Sequence, residues 1–418
     1  MFINIVMKRK KYLLLLSLIL ATSCKIEKGV LQKTIFVASD LHLLSNNLIS
    51  DDNQTYLKKY LTGDGRVQEY DYDLIEEFVK QININKPEYV MITGDLTLNG
   101  EKDSHLELIK LLSNINDDTK ALIVPGNHDI CNVNSMSYVN DAARGTQNVN
   151  YDEFRQLYKD FGYQGAYSYD PNSLSYIYDL NDNLWALMLD DNISFLNEDF
   201  DYNNVGGYVL EETLEWIEDN LKVAKEKNIK VISFMHHNLL LHNSMFDRLY
   251  RLGNASEVLD LYSKYNVNLN FSGHLHIQSI KDSLVNKQRI YEVVNSSLLD
   301  YGNHYGKLDI YDNCFDYSCV DLSIFDNFME TSYQVFYDKY YYKNEVSYEL
   351  TYQEDYKKVL DFAAKINCYY FDGDYEKIRQ EMRNNRKIVR KIKKQNNAYI
   401  KSILDVEDKS QKSLLIGR

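Results

Sequence analysis

Tyr89-Val90-Met91-Ile92-Thr93-Gly94-Asp95 is the stretch on which the fold turns. Pro87 restarts the chain just before it, and five apolar or β-favouring residues in succession read as a short strand. A carboxylate follows directly, behind a glycine whose missing side chain leaves room where backbone and ligand come close. The same grammar recurs. Thr34 to Ser39 runs into Asp40-Leu41-His42, and Ala121 to Val124 runs into Gly126-Asn127-His128-Asp129. Val231 to Met235 runs into His236-His237, and Val267 to Ser272 into Gly273-His274-Leu275-His276. Leu184 to Leu189 and Arg289 to Val294 read as further strands. Helical spacings lie between them: Leu74, Ile75, Phe78, Val79 and Ile82, then Ser104 to Leu112, then Leu210 to Lys227 with Leu210, Leu214, Ile217 and Leu221 on one face. Strand–helix alternation predicts an α/β fold with parallel strands joined by crossovers. Open α/β sheets bind ligands beyond the carboxyl ends of their strands, where all five motifs fall.

Each motif is weak alone, because a single histidine is more often a core or surface residue than a ligand. Their weight comes from the combination: every motif follows a strand, and all converge on one sheet edge. Mixed imidazole, carboxylate and amide groups suit Mn, Fe, Zn or Co better than Mg or Ca. Phosphoester hydrolysis needs a nucleophile at neutral pH and positive charge on the phosphoryl oxygens. Two metal ions about 3.5–4 Å apart supply both. One carboxylate must then be shared, and a single Asp behind a strand and a glycine can do this.

In this order the five motifs resemble the calcineurin-like metallophosphoesterase family over about residues 34–310. The resemblance implies a four-layer α/β/β/α sandwich, with the phosphoesterase domain at 34–315 and a small helical C-terminal domain at 320–418. It implies two metal ions (Mn, Fe or Zn) and a bridging hydroxide as nucleophile. Asp40, His42 and His276 would hold the first ion, Asn127, His236 and His274 the second, and Asp95 would bridge both. His128 is no ligand in that pattern. It lies beside the substrate, where an imidazole titrating near neutrality stabilises the transition state or protonates the leaving oxygen. Some family members carry an extra Asp that pairs with this histidine. Leu98 stands in its place here, which leaves the partner of His128 open. His237, one residue beyond the ligand position, points elsewhere. With His242 it is open to a supporting or substrate-contacting role, and Asp129 to holding the loop or orienting a neighbour.

Longer stretches narrow the resemblance: Gly94 to Glu101 with Ser104-His105, Pro125 to Ile130, Ser173 to Tyr176, His236 to Leu240, and Phe271 to His274. They are similar to a secreted or lipid-anchored bacterial subgroup described as cyclic-nucleotide phosphodiesterase-like, with a helical C-terminal domain. This implies a small phosphodiester or nucleotide substrate. Phosphomonoesterase or nucleotidase action at the same site, and a non-catalytic surface-binding lipoprotein, are the alternatives.

Composition bounds these readings. Of 418 residues, 44% are apolar, enough for a full core, and three prolines exclude Pro-rich linkers. A net charge of −14 disfavours binding to nucleic-acid duplexes but leaves a small phosphate substrate open, because metal ions supply local positive charge. Lys8-Arg9-Lys10-Lys11 followed by the apolar run Tyr12 to Ala21 reads as a signal peptide over residues 1–23. Small residues before Cys24 resemble a lipobox, with Cys24 acylated and the protein anchored to a membrane outside the cytoplasm; plain secretion is the alternative. Among Cys131, Cys314, Cys319 and Cys368, the nearest pair for a disulfide is Cys314 with Cys319. Beyond residue 320, Tyr352 to Ile366 and Tyr375 to Leu404 read as helices, the second with nine Lys and Arg residues between Lys377 and Lys394 expected on a solvated face. His105 is expected to be structural and Trp185 and Trp216 to lie in the core. His304 reads as a surface turn or a residue at the mouth of the site, and Gly206-Gly207-Tyr208 as a loop leading into a helix or a phosphate-facing turn.

Overall fold

The structure is a computed structural model that describes residues 26–50, 65–140, 142–181, 183–197, 202–322, 327–342, 356–394, 398–407 and 409–417. The expected signal segment and Cys24 lie outside these residues. In chain order the first half contains β1 (Leu31–Ala38), α1 (Asp71–Asn85), β2 (Tyr89–Thr93), α2 (Lys102–Leu112), β3 (Lys120–Val124), the hairpin β4 (Met136–Val139) and β5 (Ala142–Gly145), α3 (Tyr151–Leu157), β6 (Ser168–Tyr169), β7 (Tyr176–Asp179) and β8 (Leu184–Met188). Then follow α4 (Glu211–Glu226), β9 (Lys230–Phe234), α5 (Ala255–Tyr265), β10 (Leu269–Ser272), β11 (Ser279–Val285), β12 (Gln288–Val294), β13 (His304–Tyr311) and β14 (Cys314–Asp321). The tail adds α6 (Phe328–Tyr342), α7 (Tyr356–Phe371), α8 (Tyr375–Asn384), α9 (Arg386–Lys394), α10 (Ala398–Leu404) and β15 (Ser413–Gly417).

Strand β8 shows why the layers stack as they do. Leu184, Ala186 and Met188 face one core, while Trp185 and Leu187 face another. Strand β9 alternates in the same way, Ile232 and Phe234 against Val231. A strand buried on both faces reads as an unbroken apolar run, and its sheet must be covered on both sides. The two sheets run β15-β14-β13-β1-β2-β3 and β11-β12-β10-β9-β8-β7-β6. They share one core, which α1 and α2 extend, and α4 and α5 cover the far face of the second sheet. The result is the expected α/β/β/α sandwich. Strands β1, β2 and β3 are mutually parallel, as are β9 and β10, so all five motifs leave carboxyl ends of parallel strands.

The tail departs from expectation in three ways. The expected boundary at 315–320 falls within β14, and β15 returns to pair antiparallel with that strand. The helix expected over 375–404 is three helices. Asn385 breaks the first at φ −115°, and its side-chain amide donates to the Glu381 carbonyl, the local bond with which Asn competes against helix continuation. Cys314 and Cys319 are both free. Five residues apart on one strand, they point to opposite faces about 16 Å apart, far beyond the roughly 7 Å limit for a disulfide. Helices α6 to α10 enclose a second core around Leu360, Ala363, Ile366, Ile378 and Ile403. Leu275 and Ile277 belong to that core, and they alternate with His274 and His276.

Candidate metal centre

Five of the seven candidate ligands have left-handed backbones: Asp40 (φ 53°), His42 (42°), Asp95 (48°), His274 (68°) and His276 (58°). Non-glycine residues rarely adopt this region, and they keep it where surrounding bonds over-determine it, typically at functional sites. The bonds are present: Asp40 N–H donates to the Gly94 carbonyl at 3.0 Å and His42 N–H to the Asp95 carbonyl at 2.9 Å. Gly94 sits at φ 87°, and a Cβ there would lie 2.6 Å from His236 Nδ1, so this position is closed to other residues.

All seven side chains converge. His42 Nε2 lies 3.0 Å from His276 Nε2 and 3.6 Å from Asp95 Oδ2, and His276 Nε2 lies 3.4 Å from Asp40 Oδ1. On the other side His236 Nε2 is 3.4 Å from Asp95 Oδ1 and 3.1 Å from Asn127 Oδ1. The donor atoms of Asp40, His42, Asp95 and His276 form one group, and those of Asp95, His236 and His274 another, each within 4.8 Å. Asp95 is common to both and turns one carboxylate oxygen towards each. These spacings fit cations: two ligands about 2.1 Å from one ion stand about 3.0 Å apart at right angles.

The surroundings aim the ring nitrogens. His236 Nδ1–H donates to the Thr93 carbonyl at 2.9 Å, which turns Nε2 towards Asp95. His274 Nε2–H donates to the Leu249 carbonyl at 3.1 Å, leaving Nδ1 free to ligate. His276 Nδ1–H donates to Asp300 Oδ2 at 3.0 Å, the carboxylate–imidazole pairing that raises ligand basicity. His128 Nδ1–H donates to the Leu98 carbonyl at 2.6 Å, so a backbone oxygen does the work of the missing Asp. His128 Nε2 stands 4.0 Å from Asp95 Oδ2, and 28% of its side chain is exposed, within reach of a substrate. Asp129 holds the loops together, accepting from the backbone of Leu96, Thr97 and Gly126 and from the Thr97 hydroxyl.

Opposing charges pull these groups apart. Burial pushes Asp95 up, but His236, His128 and His42 outweigh it and hold the carboxyl well below its usual range. Burial pushes His236 and His276 down, but Asp95 and Asp40 respectively outweigh it, and both imidazoles rise to about 10. Burial takes His42 and His274 well below the usual imidazole value. The 3.0 Å approach of His42 Nε2 to His276 Nε2 brings two imidazole nitrogens as close as two ligands of one cation would stand.

The remaining histidines have other partners. His237 bonds Asp191 and the Val205 carbonyl, and the close approach of its ring explains Gly207, where a Cβ would lie 2.5 Å away. His242 bonds Ser279 and Glu292. His105 is buried against Tyr158 and the Asp129 carbonyl, as expected of a structural residue. His304 is not a surface turn: it is buried at the start of β13, bonded to Ser296 and facing Asp372, because the tail folds over it. Trp185 lies in the core, and Trp216 is partly buried with its Nε1–H on Ser168 Oγ. Sequence reasoning missed Asp300, Arg66 and Glu292. Arg66 is buried and lines the site beside His42 and His128. Glu292 is fully buried and receives the backbone N–H groups of Leu239 and Leu240 and the side chains of His242, Asn270 and Ser272. It thereby ties the loop after His236 to the strand before His274. A cavity of about 670 Å³ opens over the cluster.

The calcineurin-like phosphoesterase family matches residues 33–278. No curated protein matches the chain. Among solved structures, a dimetal phosphatase from Danio rerio is 13% identical, covers 71% of this chain and 97% of its own, and superposes with a TM-score of 0.48. A purple acid phosphatase from yellow lupin is 12% identical, covers 70% of this chain and 52% of its own, and has a TM-score of 0.44.

Proposed function

The chain belongs to the calcineurin-like phosphoesterase family and is a hydrolytic phosphoesterase, and from that premise we propose that it is a phosphodiesterase acting on a small substrate with two divalent transition-metal ions. Asp40, His42 and His276 would hold one ion, Asn127, His236 and His274 the other, with Asp95 available to both. The observation that carries this reading is the split of Asp95, with Oδ2 towards His42 and Oδ1 towards His236. The mixed donor set fits Mn, Fe or Zn. Bound ions would supply Lewis acidity at the phosphoryl oxygens and an activated water at neutral pH.

The chain's own residues do the rest. Asp300, Thr93 and Leu249 each accept from one ring nitrogen of His276, His236 and His274, which fixes the orientation of three imidazoles before substrate arrives. His128, fixed through Nδ1–H to Leu98, presents Nε2 to the leaving or phosphoryl oxygen and donates a proton or hydrogen bond from it in its protonated form. Burial holds His128 below its ordinary value, while Asp95 opposes this and favours its charged form. The cavity of about 670 Å³ has the room that a diester needs for organic groups on both sides of the phosphate. Acylation at Cys24 and a site outside the cytoplasm belong to the same reading, supported by the basic-then-apolar start of the chain. Hydrolysis of bis-p-nitrophenyl phosphate and p-nitrophenyl phosphate by Mn-loaded protein tests the activity. The diester is expected to turn over faster, and a faster monoester would reassign the protein as a phosphomonoesterase.

A further inference from the structure

The cavity has two unlike halves. Its floor is the ligand cluster, and much of its wall is aromatic: Phe246, Tyr250, Tyr370, Phe371 and Tyr399. Three of these come from the tail, Tyr370 and Phe371 on α7 and Tyr399 on α10. The hydroxyls are engaged elsewhere. Tyr370 accepts from Asn243 at 2.7 Å and Tyr399 donates to Asn367 at 2.5 Å, so these two hydroxyls are already partnered within the protein. The rings also form a connected series. Tyr399 lies 5.6 Å from Phe246 between centroids, Phe246 lies 4.8 Å from Tyr250, and Tyr250 lies 5.1 Å from the candidate ligand His274. The loop that carries Phe246 and Tyr250 is pinned to the tail through Asn243, whose amide reaches Tyr370 and Ser402. Its Leu249 carbonyl also orients His274. Thus one loop, held by the tail helices, both aims a ligand and walls the cavity beside it.

We propose that this wall is a recognition pocket for a flat aromatic group on the substrate, so that the enzyme selects phosphoesters with an aryl or nucleobase-type substituent close to the phosphate, and that the helical tail sets this selectivity. The inference rests on the phosphoesterase reading of the metal centre and extends it to the group that stays behind. Ring faces recognise flat π systems by stacking or edge contact, and such contacts add to ordinary area burial. A straight alkyl substituent gains only the burial. Phe246, Tyr250 and Tyr399 are partly buried and pack against the buried Tyr370 and Phe371, so the rings are already ordered and little entropy is lost on binding.

The test compares bis-p-nitrophenyl phosphate with methyl p-nitrophenyl phosphate on the Mn-loaded full chain. Both release the same nitrophenolate, and the kcat/KM ratio is corrected for the electronic activation by the second nitrophenyl group, read from hydroxide hydrolysis of each ester per leaving group, so that only recognition of the remaining group differs. We expect kcat/KM to favour the aryl ester by about tenfold, the upper range of a single aromatic contact. Phe246→Leu, which keeps apolar bulk without a ring, is expected to collapse that ratio. Calorimetric binding of phenylphosphonate and methylphosphonate to the wild-type protein gives a readout without turnover, and the phenyl compound is expected to bind more tightly by a similar factor. A wild-type ratio near two, the statistical factor for two leaving groups, or equal binding of the two phosphonates, overturns the pocket. If neither diester is hydrolysed while phenylphosphonate still binds preferentially, the pocket stands and the diesterase reading fails.

Discussion

Asp300→Asn separates the two halves of the metal centre. Asp300 is fully buried, and its Oδ2 accepts from His276 Nδ1 at 3.0 Å. Burial raises the Asp300 carboxyl above its usual value, and the charge of His276 opposes this. Asparagine keeps the shape and an acceptor oxygen but removes the negative charge. Partners of this kind are worth about 10–100-fold in metal affinity, or about 1.4–2.7 kcal/mol. The loss falls on one ion alone, because Asp300 touches His276 and none of Asn127, His236 or His274. Titration of chelator-stripped protein with Mn or Zn by calorimetry would therefore resolve one weakened and one near-native binding step, with circular dichroism confirming the fold. Native affinity at both steps would refute the assignment of His276 as a ligand aimed by Asp300. Equal weakening of both would refute the division of ligands.

Other outcomes follow from the same geometry. His236 and His276, raised to about 10 by Asp95 and Asp40, hold protons at neutral pH, and a metal ion needs them neutral. Metal affinity should therefore rise with pH, with about two protons released on loading at pH 7, measured by calorimetry in buffers of different ionisation enthalpy; release of none would contradict the ligand set. His128→Ala should lower kcat about 10²–10⁴-fold with metal content intact, and loss of metal instead would make His128 a ligand. Glu292→Gln leaves buried N–H groups facing an amide in place of a carboxylate and should cost about 3 kcal/mol in a denaturant titration; an unchanged midpoint would show that this carboxylate does not hold the two loops.

What was legible in the sequence was the part whose signal is local. Asp40, Asp95, Asn127, His236 and His274 each follow a strand at once, so an apolar run and the polar residue ending it locate both sheet and site. Position at the strand end separated His236 from His237, which lies one residue further on and whose ring nitrogens face Asp191 and Val205. What was illegible lies in tertiary placement. Asp300 and Glu292 carry no neighbouring motif, and only the folding of β12 and the segment after it brings them to His276 and the His236 loop. The acceptors at Thr93, Leu98 and Leu249 are backbone carbonyls, which leave no side-chain signature. The tail reads as helical from its periodicity, but its aromatic contribution to the cavity depends on how α7 and α10 pack against the loop at Asn243. The return of β15 to the sheet is set by a long-range pairing that a five-residue strand cannot announce.

The shared carboxylate is the centre of the account, and Asp95→Asn tests it most directly. Asp95 Oδ1 also accepts the His128 backbone N–H at 3.0 Å, which an asparagine oxygen can still do, so the fold is expected to survive. Metal content and bis-p-nitrophenyl phosphate hydrolysis would be measured on both proteins after controlled Mn loading. Wild-type protein should carry two ions per chain and turn the diester over. The variant should lose at least one ion and about 10³-fold or more in rate, the several kcal/mol of charge stabilisation a metal supplies. A variant that keeps wild-type metal content and turnover would contradict the claim that Asp95 joins two metal sites into one catalytic centre.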